Sequence, residues 1–119
     1  MIIMDDARQV VRDYLDGITF ADEARIRRAF HPDGKLIGYK NGVLEWDSVE
    51  KFINDRRAAG TLSERAPYYW EIVLEDQTED IATVKVIDEY RESRYTYYIV
   101  LLYIDGRWQI VSKVFHRHL

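Results

Sequence analysis

Residues 94–117, RYTYYIVLLYIDGRWQIVSKVFHR, decide how this chain folds. Two runs rich in Tyr, Ile, Val and Leu flank Asp105-Gly106, a pair that tolerates the positive φ angles of a two-residue hairpin turn. Such a turn sets Ile104 opposite Arg107 and Tyr103 opposite Trp108. Alternation then gathers Tyr95, Tyr97, Ile99, Leu101 and Tyr103 on one face with Trp108, Ile110, Ser112, Val114 and His116. The other face carries Tyr98, Val100 and Leu102 with Val111, Lys113 and Phe115. Both faces are apolar. One is expected to meet the domain's own helices, and the other (Tyr98, Val100, Leu102, Val111 and Phe115) a second copy of the chain in a homodimer.

Working outward, residues 68–75 and 81–92 read as two further strands, rich in β-branched and aromatic residues. Upstream, Ala7, Val10, Val11, Tyr14, Leu15 and Ile18 recur at three- and four-residue intervals, an amphipathic helix over 5–17 with Gly17 as its stop. Asp22 opens a short second helix that should close at His31-Pro32, because the residue before proline disfavours helical geometry. Asn41-Gly42 marks a first hairpin between 34–40 and 43–46. Asp47 to Glu50 has the spacing of a capping box, and Val49, Phe52 and Ile53 give a third helix its apolar face up to Gly60. Residues 60–67 lack periodicity and read as a loop.

At 119 residues the chain suits one domain over 1–119. A hydrophobic fraction of 47% with 13% aromatics argues against disorder. The net charge of -4 provides no positive field for phosphate backbones, so no nucleic-acid partner is expected. Zero cysteines exclude disulfides and thiol nucleophiles. The start, MIIMDDARQV, lacks a basic region and a long apolar stretch, and no run of ~20 apolar residues follows. A cytoplasmic protein without membrane contact is the expectation.

The order helix, helix, hairpin, helix and four long strands, with Phe30-His31-Pro32-Asp33-Gly34 and the segment from Asp105 to Phe115, resembles the nuclear transport factor 2-like superfamily. Within it the sequence is most similar to the putative lumazine-binding and polyketide-cyclase-like families. The resemblance implies a cone-shaped α+β fold, three N-terminal helices packed on a curved, mixed, mostly antiparallel sheet of about six strands around a pocket. It implies no cofactor. Ketosteroid isomerase, of the same superfamily, uses a helix-one Tyr, a strand carboxylate base and a buried neutral acid. Tyr14 is similar in position to that Tyr, but Gly38 stands where the base would fall, and Ile99 and Val100 near the acid.

Asp88 alternates with Ala82, Val84, Val86 and Tyr90. A carboxyl among apolar groups has its pKa raised and can act as acid or base; the alternative is a solvated strand end paired with Arg91 or Arg94. His116, on the Trp108 face, is the proton carrier best matched to neutral pH, or a surface residue of a fraying terminus. With Tyr14 as hydrogen-bond donor, these make up the candidate catalytic set. Tyr39, Trp46, Trp70, Tyr90 and Tyr97 are the candidate lining for a small hydrophobic or planar ligand, or else core and dimer contacts. His116 and His118 share one strand face but lack a third ligand, and His31 falls at a helix end, so no metal is expected. Arg56-Arg57 and the basic residues around Arg27 read as solvated faces. Three functions remain open: a small-molecule-binding domain, an acid/base isomerase, dehydratase or cyclase, and a dimeric interaction module without ligand.

Overall fold

Ala7, Val11, Tyr14, Leu15 and Ile18 form the buried stripe of α1 (Met4–Phe20) in the computed structural model, which describes residues 4–59, 68–90 and 93–118. Gly17 does not stop this helix. A Cβ there would lie 2.8 Å from the Ile26 side chain, so Gly17 is the point where the next helix crosses closely. α1 ends three residues later in a Schellman motif: Ala21 takes φ 51°, and the Asp22 N–H bonds the Gly17 carbonyl at 2.9 Å. Asp22 then caps α2 (Glu23–Ala29) by accepting from the Arg25 N–H at 3.1 Å.

α2 stops before His31-Pro32, which already belong to β1 (Phe30–Lys40). Asn41 and Gly42, at φ 54° and 77°, turn the chain into β2 (Val43–Ser48). The cap of α3 (Val49–Ala59) is Ser48, whose Oγ accepts from the Lys51 N–H at 3.1 Å; Asp47 remains in the strand. The proposed loop at 60–67 lies outside the described residues. β3 (Tyr68–Thr78), β4 (Ile81–Tyr90), β5 (Ser93–Ile104) and β6 (Arg107–His118) follow.

The six strands form one mixed sheet in the order β2-β1-β6-β5-β4-β3, parallel only between β1 and β6. The Asp105-Gly106 turn has the predicted register, Ile104 with Arg107 and Tyr103 with Trp108. The predicted face of β4 is also observed, with Ala82, Val84, Val86 and Asp88 all buried. α1 packs on β6, β4 and β3 and α3 on β1 and β2, closing the core around Tyr14, Phe30 and Trp108.

The alternation in β6 fails at one residue. Leu101 pairs with Ile110 but Val100 pairs with Ser112, so Val111 is a bulge with no partner of its own. An extra residue exchanges the faces of everything beyond it. Trp108 and Ile110 point inward as expected, but past the bulge it is Lys113 and Phe115 that do so, and Val114 and His116 that point out. Phe115 therefore does not belong to the outer face assigned to it from sequence, whereas Tyr98, at 48% exposure, does.

Candidate functional site

The bulge places Lys113 on the helix side of the sheet. Three ladder rows cross that side. Asp47, Leu36, Lys113, Ile99 and Val84 form the first, Glu45, Gly38, Phe115, Tyr97, Val86 and Ile72 the second, and Arg117, Tyr95, Asp88 and Trp70 the third. From these rows Leu36, Glu45, Asp47, Asp88, Tyr95, Tyr97, Lys113 and Phe115, with Lys40 of β1, Phe52, Asp55 and Arg56 of α3 and Ile18 of α1, line a cavity of about 240 Å³. Lys40, Glu45, Asp47, Asp55, Arg56, Asp88 and Lys113 make up more than half of the described lining, so the cavity is not the largely apolar space that the aromatic count suggested.

At its centre, Lys113 Nζ donates to the Tyr14 hydroxyl at 2.8 Å and lies 3.9 Å from the centre of the Tyr97 ring, with the Phe52 and Phe115 rings within 6 Å. Tyr97 donates its hydroxyl to Asp88, a diagonal pair on adjacent strands. Asp88 is 1% exposed and Lys113 6%, so an acid and an amine are both buried beside the same cavity. Burial, with the Arg56 charge adding to it, lowers the Lys113 pKa from 10.5 to about 7, although Asp88 pulls the other way. Burial and then the Asp88 charge push the Tyr14 hydroxyl well above its ordinary value, so it stays protonated. Tyr95, half-buried, is raised for the same two reasons, offset by Arg117 and Arg56.

The expected site residues separate accordingly. Tyr14, Asp88 and Tyr97 come together. Asp88 is no solvated strand end, and Arg94, one suggested partner, bonds Glu89 instead at 3.3 Å. Tyr14 touches Lys113 and is not among the lining residues, so it faces the amine and not a ligand. Trp70 pairs with Asp88 across β3 and β4 and packs on the core beside the cavity. The Tyr90 side chain lies outside the described residues.

His116 is exposed on the opposite face, its ring meeting His118 edge-on at 4.9 Å, and it forms no pair with Asp88. Tyr39 and Trp46 are corrected too: at 55% and 65% exposure they sit on the outer face, because β2 turns Glu45 and Asp47 inward. Gly38 lacks a carboxylate for a packing reason. A methyl there would run into the Phe115 carbonyl and come within 2.7 Å of its ring.

The family model described as putative lumazine-binding matches residues 4–116. The chain belongs to that family. Among solved structures, this lumazine-binding-family domain is similar to a nuclear transport factor 2-like protein of unknown function from Silicibacter pomeroyi. That match has 25% identity, covers 96% of this chain and 94% of that one, and has a TM-score of 0.86. A putative ketosteroid isomerase from Shewanella frigidimarina matches at 23% identity over 92% and 94% of the two chains with a TM-score of 0.73, a likeness of fold. The domain is also 28% identical to "Aldolase FrzH" from a Cladobotryum species over 107 residues, 88% of this chain and 83% of that one. It has the nuclear transport factor 2-like α+β fold, and among its described residues no helix is long and apolar enough to cross a membrane.

Two expectations are corrected: Lys113, assigned to the outer face, and Arg56, read as part of a solvated face, both line the cavity. Lys113 had no local signal, because residues 110–115 are mostly apolar in both phases and the bulge that orients it carries no glycine. Arg56 did have one. With Val49 and Ile53 it stands at the i, i+4, i+7 spacing of the buried face of α3.

Proposed function

We propose that this domain is a cofactor-independent enzyme that moves a proton at the carbon beside a carbonyl group, with Lys113 as the base. The observation that carries the reading is an amine enclosed in the cavity wall, held by Tyr14 and half deprotonated near neutral pH. Lysines serve as bases when burial removes their proton. In the step, the Lys113 lone pair takes the α-proton, the C–H electron pair becomes the carbon–carbon double bond, and the carbonyl π pair moves onto oxygen to give the enolate. Asp88 stabilises the ammonium that forms, since its charge favours protonated Lys113. Tyr95, on the same wall, supplies a hydroxyl for the enolate oxygen, while the Tyr97 hydroxyl stays on Asp88. In a conjugated substrate the proton on Lys113 then returns at the far carbon of the dienolate; where the substrate carries a second carbonyl, the enolate carbon bonds to that carbonyl carbon, whose π pair moves to its oxygen and takes the proton from Lys113. The likeness to a protein named as an aldolase supports this class of chemistry. A cavity of about 240 Å³, below the ~300 Å³ where ligand pockets usually begin, favours a compact substrate over a polycyclic one.

Deuterium exchange tests it. Wild type and Lys113→Met are incubated with cyclohexanone, acetophenone and pyruvate in D2O, and the α-proton signal is followed by NMR. Faster exchange by wild type, with an apparent pKa near 7, is expected; equal exchange by both proteins refutes the reading. Borohydride added with cyclohexanone should leave Lys113 unmodified by mass. A reduced adduct on Lys113 would replace the base with an imine mechanism.

We also propose that the outer sheet face, where Tyr39, Leu44, Trp46, Tyr98 and Val114 are exposed together, is the surface of a homodimer. Phe115 is no part of it, and Trp46 and Tyr98 stand at its centre in the proposal.

A further inference from the structure

Arg56 lies on α3 with its Nε and Nη2 atoms buried and, among the described residues, without a hydrogen-bond partner. Its neighbours on the helices are engaged: Arg57 bonds Glu23 at 2.6 and 2.8 Å, and Arg27 bonds Glu50. None of the four lining acids, Glu45, Asp47, Asp55 and Asp88, bonds these two atoms. Asp55 accepts from Lys51 at 2.8 Å, Asp47 lies 3.7 Å from the same lysine, and Asp88 accepts from Tyr97. Nε and Nη2 form the side-on edge of the guanidinium, two parallel donors spaced to match the two oxygens of a planar oxyanion. Arg56 lines the cavity together with Lys113, Tyr95 and Tyr97.

From this geometry we propose that Arg56 is the subsite for a carboxylate carried by the ligand, held through both of its buried donors. Joined to the reading of Lys113, on which the carbonyl half of this statement rests, the substrate class is an oxo acid or another carbonyl compound bearing a carboxylate. A singly charged carboxylate fits better than a phosphate. Glu45, Asp47, Asp55 and Asp88 line the same small cavity, and a dianion would meet their repulsion.

The test uses ligands that have no α-proton to exchange, so it reads the subsite alone while deuterium exchange reads Lys113 alone. Sodium benzoate, benzamide and inorganic phosphate are titrated into the intact protein and binding is followed by calorimetry. Wild type should bind benzoate about ten-fold or more tighter than benzamide, the worth of charge-assisted hydrogen bonds. Arg56→Gln should lose that preference, Arg56→Lys should keep only part of it, and Lys113→Met should keep it. Equal binding of benzoate and benzamide by wild type overturns the proposal, as does a preference that survives Arg56→Gln or disappears in Lys113→Met. Full preference in Arg56→Lys would overturn the two-donor geometry, and phosphate binding as tight as benzoate would overturn the carboxylate assignment.

Discussion

Replacing Lys113 by Met should change how the stability of the fold depends on pH. Folded, Lys113 has a pKa of about 7; its ordinary value is 10.5. Between these values the unfolded chain binds the proton and the folded chain does not, so stability rises with pH across that window. Below pH 7 the penalty for the buried amine is fully present, about 5 kcal/mol from the gap between the two values. It begins to lift above pH 7, and about 2 kcal/mol is recovered by pH 9. Met keeps the length and apolar character of the stem without the charge, so Lys113→Met is expected to be more stable than wild type at pH 6. The advantage should shrink by about 2 kcal/mol between pH 7 and 9, roughly 1 M in urea midpoint at an m-value of about 2 kcal/mol/M. Urea unfolding of both proteins at pH 6, 7, 8 and 9 gives the difference directly, and groups that titrate in both cancel. A difference that stays constant from pH 6 to 9 would mean that Lys113 has the same pKa folded and unfolded.

Tyr97→Phe removes the hydroxyl that donates to buried Asp88 and should destabilise the fold by about 1–3 kcal/mol in urea unfolding at pH 7; an unchanged midpoint would show that the pair contributes nothing. Gly38→Ala drives a methyl into the Phe115 backbone and should cost about 1–3 kcal/mol or more in a thermal melt, whereas a neutral result would mean that β1 and β6 yield freely there. In sedimentation, wild type should travel as a dimer and Trp46→Glu as a single 14.2 kDa chain; a monomeric wild type would remove the outer-face interface.

What the sequence disclosed depended on how local the determinant was. The Asp105-Gly106 turn fixed its register because two residues suffice to set it, and the inward run from Ala82 to Asp88 was readable because nothing interrupts the alternation of β4. The bulge at Val111 arises from how β5 and β6 pair over their whole length, and neither strand marks it with glycine or proline. Continuing the alternation through it exchanged His116 for Lys113. The error at Tyr39 and Trp46 had a different origin. In β2 the usual polarity is reversed: Glu45 and Asp47 line the cavity while Leu44 and Trp46 are exposed. Charged side chains there mark the site, not the solvent. Arg56 was legible from the spacing on α3, but an Arg-Arg pair on a helix carrying acids looks the same whether one guanidinium turns inward or neither does.

Lys113 acts as a base only if it loses its proton near neutral pH. Lysine labelled at Cε with ¹³C gives one ¹H–¹³C signal per residue, and the signal absent from Lys113→Met identifies the one to follow. Its chemical shift should titrate with a midpoint near pH 7, separated from the other lysines. A midpoint near the ordinary value of 10.5 would contradict the account.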